Sequence, residues 1–239
     1  MTQLLISVTS VTEAQMALEN GADIIDLKDP NNGALGALPI ETIRQIVMHV
    51  QGKKLISATV GDLPLCTEAH IEVLINQLKS LANTGVDIIK IGFFFAESNQ
   101  FNHNAALEAI NSYAKMCLPK TVKLIAVLFA EEMQKAAYSH DFMQQLYLSY
   151  FSGLMIDTAH KNGKSFLDYN TPYYYEILAK TTISHGFSFG VAGSVQTQHI
   201  VSAQLLNPSY IGFRGGACVN GDRKSQLDAT KIQAIRKLL

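Results

Sequence analysis

Short apolar runs rich in Ile, Val and Leu alternate with longer stretches of helical periodicity along the whole chain, and this alternation most constrains the fold. Alternating strands and helices are typical of parallel βα units. The predicted strands are residues 4–8, 23–28, 54–60, 87–93, 122–129, 153–158, 187–193 and 210–215. Eight such units in 239 residues match the usual size of a (β/α)₈ barrel, and an open doubly wound sheet is the weaker alternative. No linker-like stretch divides the chain, so we expect residues 1–239 to form a single TIM-barrel domain.

The segments between the predicted strands carry apolar stripes at helical spacing, and several of them end on Gly. The sequences SVTE and TEAH begin with hydroxyl residues, Ser10 and Thr67, which favour helix N-caps. The helix after the seventh strand is predicted in QTQHIVSAQLLN, residues 196–207. Residues 130–150 fit either one helix or two.

The composition favours a small-molecule partner. The net charge is −1 and the basic residues form no long run, which argues against binding to nucleic acid or to an anionic membrane surface. Three widely spaced cysteines, Cys66, Cys117 and Cys218, fit free thiols in a reducing compartment. No apolar run reaches the length of a membrane span, so we expect a cytoplasmic protein, and a homo-oligomer of undefined state.

Charged residues occur late in three even-numbered strands. Asp26 and Lys28 lie two apart at the end of strand 2, Lys90 lies in strand 4, and Asp157 ends strand 6 with Lys161 following it. Residues two apart point to the same side of a sheet, and the active sites of TIM barrels lie at the C-terminal ends of the strands. We therefore expect two carboxylates and three ammonium groups to meet at one barrel mouth. Lys54 and Lys123 start their strands, so we expect them at the opposite, solvated end.

Glycine-rich exits from the last two strands indicate a phosphate site. Gly193 and Ser194 follow strand 7, and Gly215 and Gly216 follow strand 8. TIM barrels commonly hold phosphate there, through backbone N–H groups and helix N-termini. The histidines show no metal-ligand spacing, so we predict neither a metal nor another cofactor; His160, beside Asp157 and Lys161, is the exception to test.

Grouped lysines favour carbonyl chemistry. A lysine attacks a carbonyl when desolvation or a second cation lowers its pKa. Two ammonium groups about 5 Å apart at an effective dielectric constant of about 20 repel by roughly 3 kcal/mol. We therefore predict that one lysine forms a Schiff base and another transfers protons, while the carboxylates orient them; the sequence does not assign which carboxylate pairs with which lysine.

Five segments, DIIDLKDPNNGALGA, SATVGD, DIIKIGF, GLMIDTAHKNGKS and FRGGAC, together resemble the (5-formylfuran-3-yl)methyl phosphate synthases of methanofuran biosynthesis. The resemblance implies a lyase that condenses two molecules of glyceraldehyde 3-phosphate, with loss of phosphate and water, to a furan aldehyde phosphate. It also implies that Lys28 forms the Schiff base and Lys90 accepts protons, with Asp26, Asp157 and Lys161 in the same site.

Two other functions stay open at this point. A generic class I aldolase or phosphosugar isomerase would need the same phosphate loops, and its product would lack the near-ultraviolet absorbance of a furan aldehyde. A non-catalytic phosphometabolite sensor would keep the barrel without turnover, and its ligand response would survive replacement of Lys28.

Overall fold

The structure is a computed structural model that describes residues 1–63, 67–94, 103–133 and 138–239. Eight parallel strands close into a barrel in the order β1 to β8, with β8 paired to β1. The barrel confirms the predicted fold class and excludes the open sheet. The strands are β1 Gln3–Val8, β2 Ile24–Leu27, β3 Leu55–Thr59, β4 Ile88–Phe93, β5 Lys123–Phe129, β6 Gly153–Asp157, β7 Ser188–Val191 and β8 Tyr210–Phe213.

Each predicted apolar run corresponds to one strand with bounds that agree within one residue at the C-terminal end, except that β7 and β8 each end two residues earlier than predicted. Gly193 has a φ of +91°, which is incompatible with a continued strand, and a Cβ there would lie 2.8 Å from the backbone nitrogen of Thr158. The chain therefore leaves the barrel at this position and passes close to the end of β6.

Helices cover the outside of the barrel. In the described ranges they are α1 Val11–Glu19, α2 Ile40–Val50, α3 Glu68–Ala82, α4 His103–Cys117, α5 Ala130–Met133, α6 His140–Tyr147, α7 Pro172–Ser184, α8 Ile200–Gln204 and α9 Ala229–Leu238. The predicted N-caps are confirmed, since the hydroxyls of Ser10 and Thr67 accept hydrogen bonds from the backbone N–H groups of Glu13 and His70. None of these helices is long and apolar enough to cross a membrane.

The structure decides between the alternatives left open for one segment and corrects the prediction for another. Residues 130–150 hold two helices, α5 and α6, with residues 134–137 outside the described part. The predicted helix over 196–207 is shorter than expected, because a 3₁₀ turn at Thr197–His199 precedes the five-residue α8. Ser, Thr, Asp and Asn are the residues that favour an α-helical start when they occupy the N-cap. The N-cap of this 3₁₀ turn is Gln196 instead.

The barrel interior has an apolar lower part and a polar upper part. Side chains that point inward from β1, β2, β4, β5, β6 and β8 form a buried apolar cluster, among them Leu5, Ile24, Ile88, Ile125, Met155 and Tyr210. Above it, towards the C-terminal ends of β1 to β4 and β6, inward positions carry serine, aspartate or lysine, whereas β5 keeps Val127 and Phe129 there. Lys54, at the opposite end, pairs with Asp23 on the surface at 3.4 Å, and Lys123 is exposed. The lysines at the strand starts therefore lie away from the polar cluster, as expected.

Candidate active site

The charged residues predicted to converge do lie together at the barrel mouth. Asp26 lies in β2, Lys28 directly after it, Lys90 in β4, and Asp157 at the end of β6. All four are buried, with exposed fractions of 0%, 7%, 1% and 1%. Ile24, Asp26 and Lys28 follow the two-residue alternation of a strand, so one face of β2 carries an apolar residue into the core and two charges into the mouth.

Asp26 forms the lower of two ion-pair clusters. Its Oδ1 lies 2.5 Å from Lys90 Nζ and accepts a hydrogen bond from Ser57 Oγ at 2.6 Å, and its Oδ2 accepts one from Ser7 Oγ at 2.8 Å. Burial is the largest influence on the pKa of Asp26 and would raise it, but attraction to Lys90 and Lys28 and the hydrogen bonds outweigh burial and hold that pKa below its usual value. The neighbouring cations and hydroxyl donors thus favour the ionised form of Asp26.

Asp157 forms the upper cluster. Its Oδ2 lies 3.4 Å from Lys28 Nζ, and its Oδ1 accepts hydrogen bonds from Lys161 Nζ at 2.9 Å and from the backbone N–H of Thr158 at 2.7 Å. Burial acts to raise the pKa of Asp157, but Lys161, Lys28 and these hydrogen bonds lower it well below the usual value. Asp157 thus pairs with Lys28 and Lys161, and Asp26 with Lys90, which is the assignment that the sequence left open.

A cavity of about 390 Å³ opens above the two clusters. Asp26, Lys28, Asp157 and Lys161 line it, but Lys90 does not. Lys90 Nζ pairs with Asp26, and burial lowers the pKa of Lys90 while Asp26 acts to raise it. Among the described residues, Asp26 thus contacts Lys90 and also lines the cavity.

The exits of β7 and β8 reach the same cavity. Gly193, Ser194 and Gly215 line it, but Gly216 does not. A Cβ at Gly216 would lie 2.6 Å from the carbonyl oxygen of Val195, so this glycine lets the two loops pack against each other. The sequence indicated α-helix N-termini at both exits, whereas both carry 3₁₀ turns, which begin at Thr197 and Gly215.

Comparison with known proteins identifies the family. The family model described as 4-HFC-P synthase matches residues 4–236. The chain belongs to the 4-HFC-P synthase family. A Methylorubrum extorquens protein provisionally assigned as a (5-formylfuran-3-yl)methyl phosphate synthase is 37% identical over 99% of this chain and 91% of its own. The (5-formylfuran-3-yl)methyl phosphate synthases of Archaeoglobus fulgidus and Methanothermobacter thermautotrophicus are 31% and 28% identical, over 99% of this chain and 97% and 98% of their own lengths.

Solved structures similar to this family member share its fold. Phosphoribosyl anthranilate isomerase from Thermus thermophilus has a TM-score of 0.60 at 14% identity, over 99% of this chain and 98% of its own. KGPDC from Streptococcus mutans has a TM-score of 0.65 at 13% identity, over 99% and 96%. At this identity the likeness shows the barrel alone, while the sequence relatives indicate that this 4-HFC-P synthase family member is an enzyme.

Arg214, at the end of β8, is a site residue of this family member that sequence reasoning missed. Its side chain lines the cavity and forms a buried pair with Glu13 of α1, with nitrogen–oxygen distances of 2.6 and 3.2 Å. The remaining donors reach the carbonyl oxygens of Ser7, Arg223 and Ser225. All five N–H groups are thus used within the protein, so Arg214 ties α1, β1 and the β8 loop together. Arg214 lies two residues beyond Gly212, on the inward alternation of β8, and that spacing was the available signal.

His160, the histidine that the sequence singled out for testing, lies in the loop after β6. His160 is exposed and its side chain does not line the cavity; its backbone N–H donates to Glu131. In the described ranges no group of three or more His, Cys, Asp or Glu side chains could hold a metal ion. Cys117 and Cys218 are free thiols, and Cys66 lies outside the described residues.

Proposed function

We propose that this enzyme condenses two molecules of glyceraldehyde 3-phosphate, through a Schiff base on Lys28, to (5-formylfuran-3-yl)methyl phosphate. The reaction balances with the release of one inorganic phosphate and two water molecules, and it requires no external oxidant. One observation carries the proposal: the Lys28 ammonium lines the cavity beside two further lysines and two buried carboxylates. The names of the sequence relatives supply the product.

Lys28 is the lysine best placed to act as the nucleophile. Lys90 does not line the cavity, and the three N–H groups of Lys161 have acceptors in Asp157 Oδ1 and the two oxygens of Thr158. Within the described part of the chain, Lys28 Nζ has one hydrogen bond, of 3.4 Å, to Asp157. The Lys28 amine can therefore turn towards a carbonyl in the cavity by breaking one long hydrogen bond, the one to Asp157.

The residues of the two clusters have different roles in the proposed proton transfers. The lowered pKa of Asp157 keeps this carboxylate ionised, so it orients Lys28 and Lys161 and stabilises the iminium cation once water has left. Burial lowers the pKa of Lys161 against the opposing effect of Asp157, and Lys161 lines the cavity, so it is suited to donate and accept protons. We propose that Lys90, whose pKa burial lowers, takes up protons through its ion pair with Asp26, in the proton-acceptor role that the resemblance implies.

The charge of the cavity suits phosphorylated trioses. The two clusters hold three lysines and two aspartates and so carry a formal charge of +1. The loops with Gly193, Ser194 and Gly215 add backbone N–H groups at one wall, and we propose that they hold one substrate phosphate.

The proposal is tested by incubating the purified protein with glyceraldehyde 3-phosphate and following near-ultraviolet absorbance, inorganic phosphate and product mass. We expect a furan aldehyde phosphate, with one inorganic phosphate released per molecule of product. Lys28→Arg should abolish the formation of both. The matched control Lys54→Arg removes no group from the cavity and should retain full turnover. A sugar phosphate that forms without phosphate release would instead indicate an aldolase or isomerase and refute the proposed reaction.

A further inference from the structure

Arg223 extends over the cavity from the loop that follows β8. Its backbone nitrogen and Cβ lie 3.7 and 3.8 Å from the position that a Cβ on Gly215 would take. Its guanidinium reaches the loop after β2, where it donates a hydrogen bond of 3.0 Å to the carbonyl oxygen of Gly33. The side chain also lines the cavity. Arg223 therefore places a cation at the wall formed by the β2 loop.

The guanidinium of Arg223 has donors to spare, in contrast to Arg214. In the described part of the chain, the contact with Gly33 is the single hydrogen bond that its side chain makes, and no carboxylate lies within ion-pair distance. A guanidinium carries five N–H donors in a planar fork that matches two oxygens of a phosphate. Within residues 1–63, 67–94, 103–133 and 138–239, the other N–H groups of Arg223 have no protein acceptor, and Arg223 lines the cavity.

The nearby carboxylates act on Arg223 through space but are already bonded elsewhere. Burial is the main influence that lowers the pKa of Arg223, while Asp157, Asp62 and Asp29 act to raise it. Asp62 accepts from the backbone N–H groups of Ala34 and Leu35, both at 2.6 Å. Asp29 accepts from the backbone N–H of Asn31 and from the side chain of Asn32. These bonds hold the carboxylates in place, so the guanidinium stays charged and open to a ligand.

We propose that Arg223 binds the phosphate of the second triose, the molecule that does not form the Schiff base. This inference rests on the proposed function, because a condensation of two phosphorylated substrates needs two anion positions in one cavity. The loops with Gly193, Ser194 and Gly215 offer one position, and the Arg223 guanidinium beside the β2 loop offers the other. The ligand class is a phosphate monoester of a short-chain aldehyde.

The test compares Arg223→Gln with the matched control Lys224→Gln, which removes one positive charge from an exposed neighbour in the same loop. For each protein, turnover is measured against glyceraldehyde 3-phosphate concentration, and the Lys28 adduct is trapped with borohydride and quantified. We expect Arg223→Gln to raise the half-saturating concentration by about tenfold or more, since a charge-assisted pair is lost. Its adduct yield should stay within about twofold of the wild-type yield, and Arg223→Lys should fall between.

Two results would overturn the inference. Equal half-saturating concentrations for Arg223→Gln and Lys224→Gln would show that the guanidinium binds no substrate phosphate. Loss of the Lys28 adduct in a folded Arg223→Gln protein would assign the residue to the first triose or to the loop structure.

A second measurement separates this inference from the proposed function. Inorganic phosphate should raise the thermal unfolding midpoint of the wild type and of Lys224→Gln more than that of Arg223→Gln. Wild-type protein that forms neither adduct nor furan product would refute the proposed function. The phosphate titration would then still decide on Arg223, since equal midpoint shifts in all three proteins would refute anion binding there.

Discussion

Lys28 and Asp157 belong to opposite sides of the barrel, β2 and β6, yet Lys28 Nζ lies 3.4 Å from Asp157 Oδ2. The pair therefore spans the barrel mouth and brings the amine to its centre. Lys161 holds the other oxygen of the same carboxylate, so a single aspartate positions two lysines.

Replacement of Asp157 by Asn should impair both activity and stability. The amide keeps the size of the side chain but leaves the buried Lys28 and the partly exposed Lys161 without this counter-charge, and breaking a buried ion pair costs about 3–5 kcal/mol. We expect turnover to fall at least about a hundredfold and the thermal midpoint to drop. The exposed Asp141→Asn is the control. Turnover near the wild-type rate in Asp157→Asn would contradict the assigned role of the carboxylate.

Lys90 and Asp26 should show strong energetic coupling. Lys90→Met leaves a buried carboxylate short of its nearest cation, and Asp26→Asn leaves a buried ammonium group, so each change alone should destabilise by roughly 3–5 kcal/mol. The double variant removes both charges and should be destabilised by less than the sum of the two. Urea unfolding of the wild type, the two single variants and the double variant measures the coupling free energy. Additive losses of unfolding free energy would show that the 2.5 Å pair contributes no coupling energy.

Much of this arrangement could be read from the sequence, because charges at strand ends stand out against apolar runs. The two-residue spacing of Asp26 and Lys28 and the end position of Asp157 place them at one mouth once the barrel is assumed. Ser7 and Ser57 were not singled out, since a serine in a strand becomes informative only when the register sets it beside Asp26. Arg223 was not singled out either, because its guanidinium reaches the β2 loop through a loop path that periodicity does not describe.

The loop after β2 depends on a glycine whose replacement should be costly. Gly33 has a φ of +89°, and a Cβ there would collide with the Asp62 carboxylate that holds Ala34 and Leu35. Gly33→Ala should therefore lower both the thermal midpoint and turnover. Gly186→Ala, also at positive φ but with nothing within 4 Å, separates backbone strain from the collision. Equal effects of the two variants would show that contact with Asp62 is unimportant.

His103 should make the protein sensitive to mild acid. Burial lowers its pKa to about 4, against the opposing effect of a hydrogen bond to the carbonyl oxygen of Phe94. The unfolded chain takes up the proton first, so stability present above pH 6.5 is lost as the pH falls towards 4, by up to about 3 kcal/mol. Urea unfolding at several pH values should show this slope in the wild type and in the exposed control His140→Gln. His103→Gln should reduce the dependence of unfolding free energy on pH. An unchanged pH dependence in this variant would assign the acid sensitivity to other groups.

The most direct measurement for the Lys28 Schiff base is borohydride reduction of the enzyme in the presence of glyceraldehyde 3-phosphate, followed by peptide mass analysis. Attack by Lys28 predicts a triose-derived mass on the peptide that contains Lys28, and no such mass on the peptides that contain Lys90 or Lys161. The adduct should disappear in Lys28→Arg and persist in Lys54→Arg. An active preparation that carries no adduct on Lys28, or carries it on Lys161 instead, would contradict the assignment.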